Sequence, residues 1–133
     1  MSAPRKPKLG AAWAESIFLD VVGYSKRRTD SQTAIIKALN RIVKDSIRPR
    51  RLRSDQRIFI PTGDGMCIAL LNRAEPYDLQ MQIALEILKG VKKHNSRAVD
   101  DELRFKVRIG INANRDNVVM DVNGKPNVAG KRD

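Results

Sequence analysis

The sequence has little of the residues that build disulfides, zinc sites and membrane spans. One of its 133 residues is cysteine (Cys67) and one is histidine (His94), which excludes an internal disulfide and a Cys/His zinc cluster. The longest apolar runs, such as Cys67 to Leu71, fall far below the ~18–20 residues of a membrane-spanning helix. Aromatic residues make up 5% of the chain, too few to indicate single-stranded nucleic-acid binding by base stacking. These absences predict a soluble, cytoplasmic domain without a membrane partner.

Positive charge is present in excess. The chain has 26 Lys+Arg against 15 Asp+Glu, a net charge of +11, and 14 of those cations lie in residues 1–57. A basic cluster can neutralise the phosphates of a nucleic acid or a nucleotide, or an acidic partner surface. A solvated loop after a helix fits the same pattern. The densest cluster is Arg48, Arg50, Arg51, Arg53 and Arg57.

The pattern of apolar residues predicts one α+β domain with the order β-α-β-β-α-β-β. The predicted strands are Ser16 to Val22, Ile58 to Ile60, Met66 to Leu71, Phe105 to Ile111 and Val118 to Met120. The predicted helices run from an Asp30 or Ser31 cap to Pro49, and from Pro76 to Asn95. We expect a ferredoxin-like, mainly antiparallel sheet with both helices on one face. In this interpretation residues 1–14 are a basic tail, residues 15–133 are the domain, and Asp116-Asn117 is a turn between the last two strands.

Two carboxylates stand out against this background. Asp20 lies in an apolar strand, where an unpaired charge costs several kcal/mol unless a cation or hydrogen-bond donors compensate it. Asp64 lies at the tip of the predicted hairpin, where Asp before Gly is also ordinary turn chemistry. If the first strand lies beside the hairpin, the two carboxylates converge and can share a divalent ion. Gly23, just after Asp20, would let backbone N–H groups point at a phosphate.

Three spaced motifs carry a family resemblance. The segments DVVGYS (Asp20 to Ser25), TGDG (Thr62 to Gly65) and RIGI (Arg108 to Ile111) resemble the successive signatures of class III nucleotidyl cyclases, the adenylate and guanylate cyclase family. The resemblance extends over about residues 16–130. It implies cyclisation of a nucleoside triphosphate to a 3′,5′-cyclic monophosphate with release of pyrophosphate.

The resemblance also implies a site. Asp20, Asp64 and the Val21 carbonyl would bind two divalent ions, Mg²⁺ or Mn²⁺. The backbone of Gly23, Tyr24 and Ser25 would hold the triphosphate. Family members build their sites between two subunits, which implies a homodimer with shared active sites.

The residue that selects the base departs from the purine cyclases. They commonly have Lys or Glu four residues before the second metal-binding Asp, whereas this sequence has Ile60. Isoleucine offers no hydrogen bond to tell adenine from guanine. The motifs are most similar to the bacterial pyrimidine cyclases of the Pycsar anti-phage defence system, which implies UTP or CTP as substrate and an antiviral second messenger as product.

The end of the sequence leads to a second expectation. The segment Asn127 to Gly130 is similar to the loop that precedes the transition-state helix of the family. We therefore expect the C-terminal elements of a complete cyclase domain to be missing from this chain. A catalytically silent cyclase homology domain stays open as an alternative.

A basic nucleic-acid-binding module that uses the arginine cluster is the other alternative. Nucleic-acid binding does not require an acid inside a strand, so Asp20 argues against this module. The sequence therefore favours a nucleoside triphosphate over nucleic acid as the partner.

Overall fold

The computed structural model describes residues 5–72 and 78–129. Its strands are β1 (Gly10–Val21), β2 (Arg57–Pro61), β3 (Gly65–Leu71), β4 (Val107–Met120) and β5 (Pro126–Ala129). Its helices are α1 (Thr29–Ile47) and α2 (Leu79–Arg97). The α+β class is confirmed, while the predicted helix start at Pro76 lies outside the described residues.

The five strands form one antiparallel sheet in the order β2-β3-β1-β4-β5. The central strand β1 pairs with β3 on one side and with β4 on the other. The first strand therefore lies beside the hairpin, as predicted. The edge strands β2 and β5 contact each other, which shows that the sheet is curled.

Each face of the curled sheet has its own core. Both helices cover the convex face, where Ile17, Leu19 and Val21 of β1 are buried against apolar residues of α1 and α2. Helices on one face were predicted. The concave face contains a smaller apolar cluster, which the sequence did not predict. Its members are Ala12, Ala14, Ile58, Ala69, Leu71, Val118 and Val128.

The first strand is longer than the sequence pattern predicts. It begins at Gly10, and Ala12 and Ala14 are buried. Residues 10–14 therefore belong to the sheet, and the predicted tail over residues 1–14 is wrong in that part. Small residues fit the crowded inside of the curl. A strand pattern based on larger apolar residues does not reveal them.

The predicted turn at Asp116-Asn117 is also wrong. Both residues lie within β4, which pairs with β1 without interruption from Val107 to Val118. The turn lies at Asp121 instead, whose carboxylate accepts hydrogen bonds from the backbone N–H groups of Asn123 and Lys125. Asn127, assigned to a loop, lies in β5.

The cap of α1 differs from the prediction as well. Arg28 occupies the N-cap, and Asp30 lies in the first turn of the helix. The hydroxyl of Ser31 donates to the carboxylate of Glu102 and accepts no capping hydrogen bond from the helix backbone. Among the described residues, no helix combines the length and the apolar character that crossing a bilayer requires.

Candidate functional site

Asp20 lies near the end of β1 on the concave face, between Gly65 of β3 and Arg108 of β4. The Nε of Arg108 donates to Oδ1 of Asp20 over 2.9 Å. Arg108 is the cation that a carboxylate in this strand requires. The Asp20 side chain is 37% exposed, so the expectation of a buried carboxylate is corrected: the rim of the curled sheet leaves it partly in solvent.

Asp64 is held beside Asp20 by the backbone. Its carbonyl accepts a hydrogen bond of 2.8 Å from the N–H of Val21, which joins the hairpin tip to the end of β1. The hydrogen bond to Asp20 and the negative charges of Asp20 and Asp64 raise the pKa of Arg108 above its usual value. The hydrogen bond to Asp20 is the largest of these causes, and the charge of Asp64 is the smallest.

Gly65 sets the distance between the hairpin and β1. A Cβ atom at this position would lie 1.9 Å from the carbonyl oxygen of Leu19. Only glycine allows β3 to approach so closely, and this approach positions Asp64 against Val21. The prediction of a TGDG turn did not reveal this requirement.

The turn after β1 presents free backbone donors. Gly23 has a left-handed φ of 67°, and the N–H of Val22 donates to the carbonyl of Lys106 over 2.9 Å. The backbone N–H groups of Gly23, Tyr24 and Ser25 have no hydrogen-bond partner among the described residues. Consecutive free N–H groups in a turn are suited to an anion.

The carbonyl and ring of Tyr24 make internal contacts. Its carbonyl accepts a hydrogen bond of 2.8 Å from the amide of Gln32, and its ring packs against the larger core. These contacts fix the turn from its inner side. For a ligand at this turn, Tyr24 would use its backbone N–H rather than its ring.

An apolar row lies beside the carboxylates on the concave face. Ile60 pairs with Cys67, Cys67 pairs with Phe18, and Phe18 pairs with Gly110. Because side chains on one face recur every second residue, this row neighbours the row of Gly65, Asp20 and Arg108. The predicted base-selecting position therefore lies two strands from Asp20 among apolar side chains.

The donors present suit a hard cation. No group of three or more His, Cys, Asp or Glu side chains forms a metal cluster within residues 5–72 and 78–129. Mg²⁺ characteristically uses one or two carboxylates and fills its other positions with water and substrate phosphates. The carboxylates of Asp20 and Asp64 thus fit Mg²⁺ or Mn²⁺, although Asp20 already has a cationic partner in Arg108.

The predicted site omitted Arg108 and Phe18. The alternation of Lys106, Val107, Arg108 and Ile109 shows that Arg108 faces away from the main core, but not that it meets Asp20. That pairing depends on the register between β1 and β4, which places Asp20 opposite Arg108. Phe18 likewise becomes a site residue only through its cross-strand neighbours.

Within the described residues, four of the five arginines of the cluster after α1 have a side-chain contact inside the chain. Arg51 has a φ of 52° and its backbone N–H donates to the carbonyl of Arg48 over 3.3 Å. Its side chain has no hydrogen bond or ion pair to another described residue. The contacts of the other four are Arg48 with Asp45 (3.5 Å), Arg50 with Gln82 (2.9 Å), Arg53 with Asp55 (3.0 Å) and Arg57 with the carbonyl of Leu52.

Comparison with solved structures decides the fold. A bacterial light-regulated adenylyl cyclase has a TM-score of 0.68 at 13% identity, over 90% of this chain and 64% of the other. The guanylyl cyclase Cya2 has a TM-score of 0.71 at 15% identity, over 92% of this chain and 66% of its own. This chain has the fold of a nucleotidyl cyclase catalytic domain.

A third cyclase fold, the guanylate cyclase domain of RhGC from Catenaria anguillulae in complex with GTP, gives a TM-score of 0.65 at 18% identity, over 90% of this chain and 66% of its own. This chain thus spans just under two thirds of the length of these three cyclase structures. No protein-family model and no curated protein sequence matches it.

Proposed function

We propose that this domain is a nucleotidyl cyclase that converts UTP or CTP into the 3′,5′-cyclic monophosphate and pyrophosphate, as a homodimer that makes a second messenger in antiviral defence. One arrangement carries the proposal. On a cyclase fold, Asp20 pairs with Arg108 and the backbone of Asp64 is bonded to Val21, beside a turn whose three consecutive backbone N–H groups have no partner among the described residues. Metal carboxylates and a phosphate-binding turn are the parts that phosphoryl transfer needs.

The carboxylates and the carbonyl of Val21 would hold Mg²⁺ or Mn²⁺. When bound, such ions lower the pKa of a coordinated hydroxyl and offset charge on the attacking and leaving oxygens. Before metal binds, Arg108 neutralises Asp20 over 2.9 Å. This ion pair offsets the negative charge of one of the two carboxylates.

The turn and Arg108 would hold the polyphosphate. The N–H groups of Gly23, Tyr24 and Ser25 donate to phosphate oxygens without giving up an internal hydrogen bond. The Arg108 side chain is 72% exposed, and its guanidinium can pair with a second phosphate. Together they fix the leaving group and orient the α-phosphorus toward the ribose 3′-hydroxyl.

The apolar row would contact the base. Ile60 and Phe18 provide a surface for packing but no hydrogen bond to the edge of a purine. Ile60 cannot form the hydrogen bond by which a polar side chain at this position would recognise a purine, and this supports a pyrimidine substrate. Discrimination by fit alone is weak, on the order of tenfold per methylene-sized difference, so a partner subunit would supply further contacts.

The experiment is turnover of each of the four nucleoside triphosphates with Mn²⁺, with products separated by chromatography. We expect cyclic UMP or cyclic CMP as the main product. A clear preference for ATP or GTP would contradict the pyrimidine assignment. Triphosphate binding without product would favour a silent homology domain, and size-exclusion chromatography with and without nucleotide would test the homodimer.

A further inference from the structure

The outer side of the helix layer contains a groove between α1 and α2 of about 600 Å³. The helices cross closely at Gly90, where a Cβ atom would lie 2.6 Å from Cγ2 of Ile42. Ile42, Ala98 and Leu103 give this groove an apolar floor. It lies on the convex side of the sheet, opposite the face that contains Asp20.

Each of the two carboxylates at the groove is paired with a cation three residues further along the chain. Asp45 pairs with Arg48 over 3.5 Å, and Glu86 pairs with Lys89 over 3.6 Å. Within the described ranges, neither carboxylate is available to the remaining cations of the rim. An incoming acidic group would therefore not have to displace an internal partner from those cations.

The remaining cations of the rims are unpaired. Arg41 on α1, and Lys93 and Arg97 on α2, line the groove, and their side chains make no ion pair or hydrogen bond with any described residue. Lys37 and Lys44 extend the row on α1. Positions three or four residues apart lie on one helix face about 5–6 Å apart, so each rim presents a cation at every turn.

We propose that this groove binds an acidic amphipathic helix of a partner protein. The apolar face of such a helix would cover Ile42, Ala98 and Leu103, and its Asp and Glu side chains would meet the two basic rims. A nucleic-acid strand matches the charge but has no apolar face for the floor. The aromatic ring that lines the groove, His94, is already engaged by the carbonyl of Leu103 over 2.9 Å and by the ring of Phe105. The floor therefore favours a peptide over a phosphate backbone.

The test uses a fluorescein-labelled 18-residue peptide with Leu at positions that repeat every three or four residues and Glu elsewhere. Its anisotropy is followed at about 150 mM salt, where long-range steering is screened. Two probes serve as comparisons: a scrambled peptide of the same composition and a single-stranded oligonucleotide of the same charge. The variant is Arg41→Gln with Lys93→Gln. Its matched control is Lys8→Gln with Lys125→Gln, two exposed lysines away from the groove.

We expect the amphipathic peptide to bind at least about tenfold more tightly than the scrambled one. The groove variant should weaken its binding by about fivefold to tenfold, and the control by less than about twofold. Absence of peptide binding, equal binding of the scrambled peptide or the oligonucleotide, or an equal loss in the control would overturn the proposal. Circular dichroism of both variants checks that the fold is retained, which is expected because the substituted side chains are exposed.

Discussion

At the scale of residues, the candidate site is defined by two charges on neighbouring strands, Asp20 and Arg108, and by Asp64 at the adjoining hairpin tip. The hydrogen bond from Arg108 to Asp20 is 2.9 Å long. Such a cation has two opposite effects on ligands. In the proposed function it would compete with a metal ion for Asp20 and attract the phosphates of a nucleotide.

Replacement of Arg108 by Ala should separate these two effects. Without the competing guanidinium, the affinity for Mn²⁺ alone should rise by about threefold to tenfold, while the affinity for a triphosphate should fall by a similar factor. Titration calorimetry with Mn²⁺ and with a non-hydrolysable triphosphate measures both. Arg115→Ala, on the other face of β4, is the matched control and should change neither. A fall in Mn²⁺ affinity in Arg108→Ala would show that this arginine supports the metal site rather than competing with it.

The hairpin of β2 and β3 is the element on which the position of Asp64 depends. Its tip is attached to β1 through the hydrogen bond between Val21 and Asp64, and Gly65 makes the close approach possible. The sequence predicted this hairpin because Gly and Asp in TGDG are typical of turns. It could not show how close β3 comes to Leu19, because that distance depends on strand register.

Gly65→Ala should therefore move the hairpin away from β1. A Cβ atom 1.9 Å from the Leu19 carbonyl requires a backbone shift, and we expect a loss of about 1–3 kcal/mol in the free energy of unfolding. Mn²⁺ affinity should fall as well, because Asp64 moves with the hairpin. Urea denaturation and Mn²⁺ titration provide the readouts.

Gly110→Ala is the control for this substitution, since a Cβ atom at Gly110 meets no other atom within 4 Å. We expect it to change the free energy of unfolding by less than about 0.5 kcal/mol. If Gly65→Ala were as well tolerated as Gly110→Ala, the close approach would not matter for the position of Asp64.

The long strand β4 is an element that the local sequence pattern predicted wrongly. Asp116-Asn117 has the composition of a turn, yet β1 extends back to Gly10 and continues to pair with it. Asp116 is consequently buried, and its Oδ1 has no hydrogen-bond partner in the described part of the chain. Local composition predicted a turn, and pairing with a distant strand outweighed it.

For the whole molecule, the curled sheet separates two surfaces. The concave face contains the carboxylates and the apolar row, and the convex face is covered by two helices with a basic groove between them. Apolar periodicity predicted the helix layer, and the spaced motifs predicted Asp20, Asp64 and Gly23. The cross-strand partners Arg108 and Phe18 could not be predicted, because they depend on pairing between strands far apart in the sequence.

The most direct test of the central claim is the rate of cyclic nucleotide formation by Asp20→Asn and Asp64→Asn. Loss of either proposed metal ligand should lower the rate by about 10³-fold or more. Asp101→Asn, which removes an exposed carboxylate from its ion pair with Arg104, is the matched control and should retain the rate of the parent chain. Product formation at an undiminished rate in both Asp20→Asn and Asp64→Asn would contradict the account.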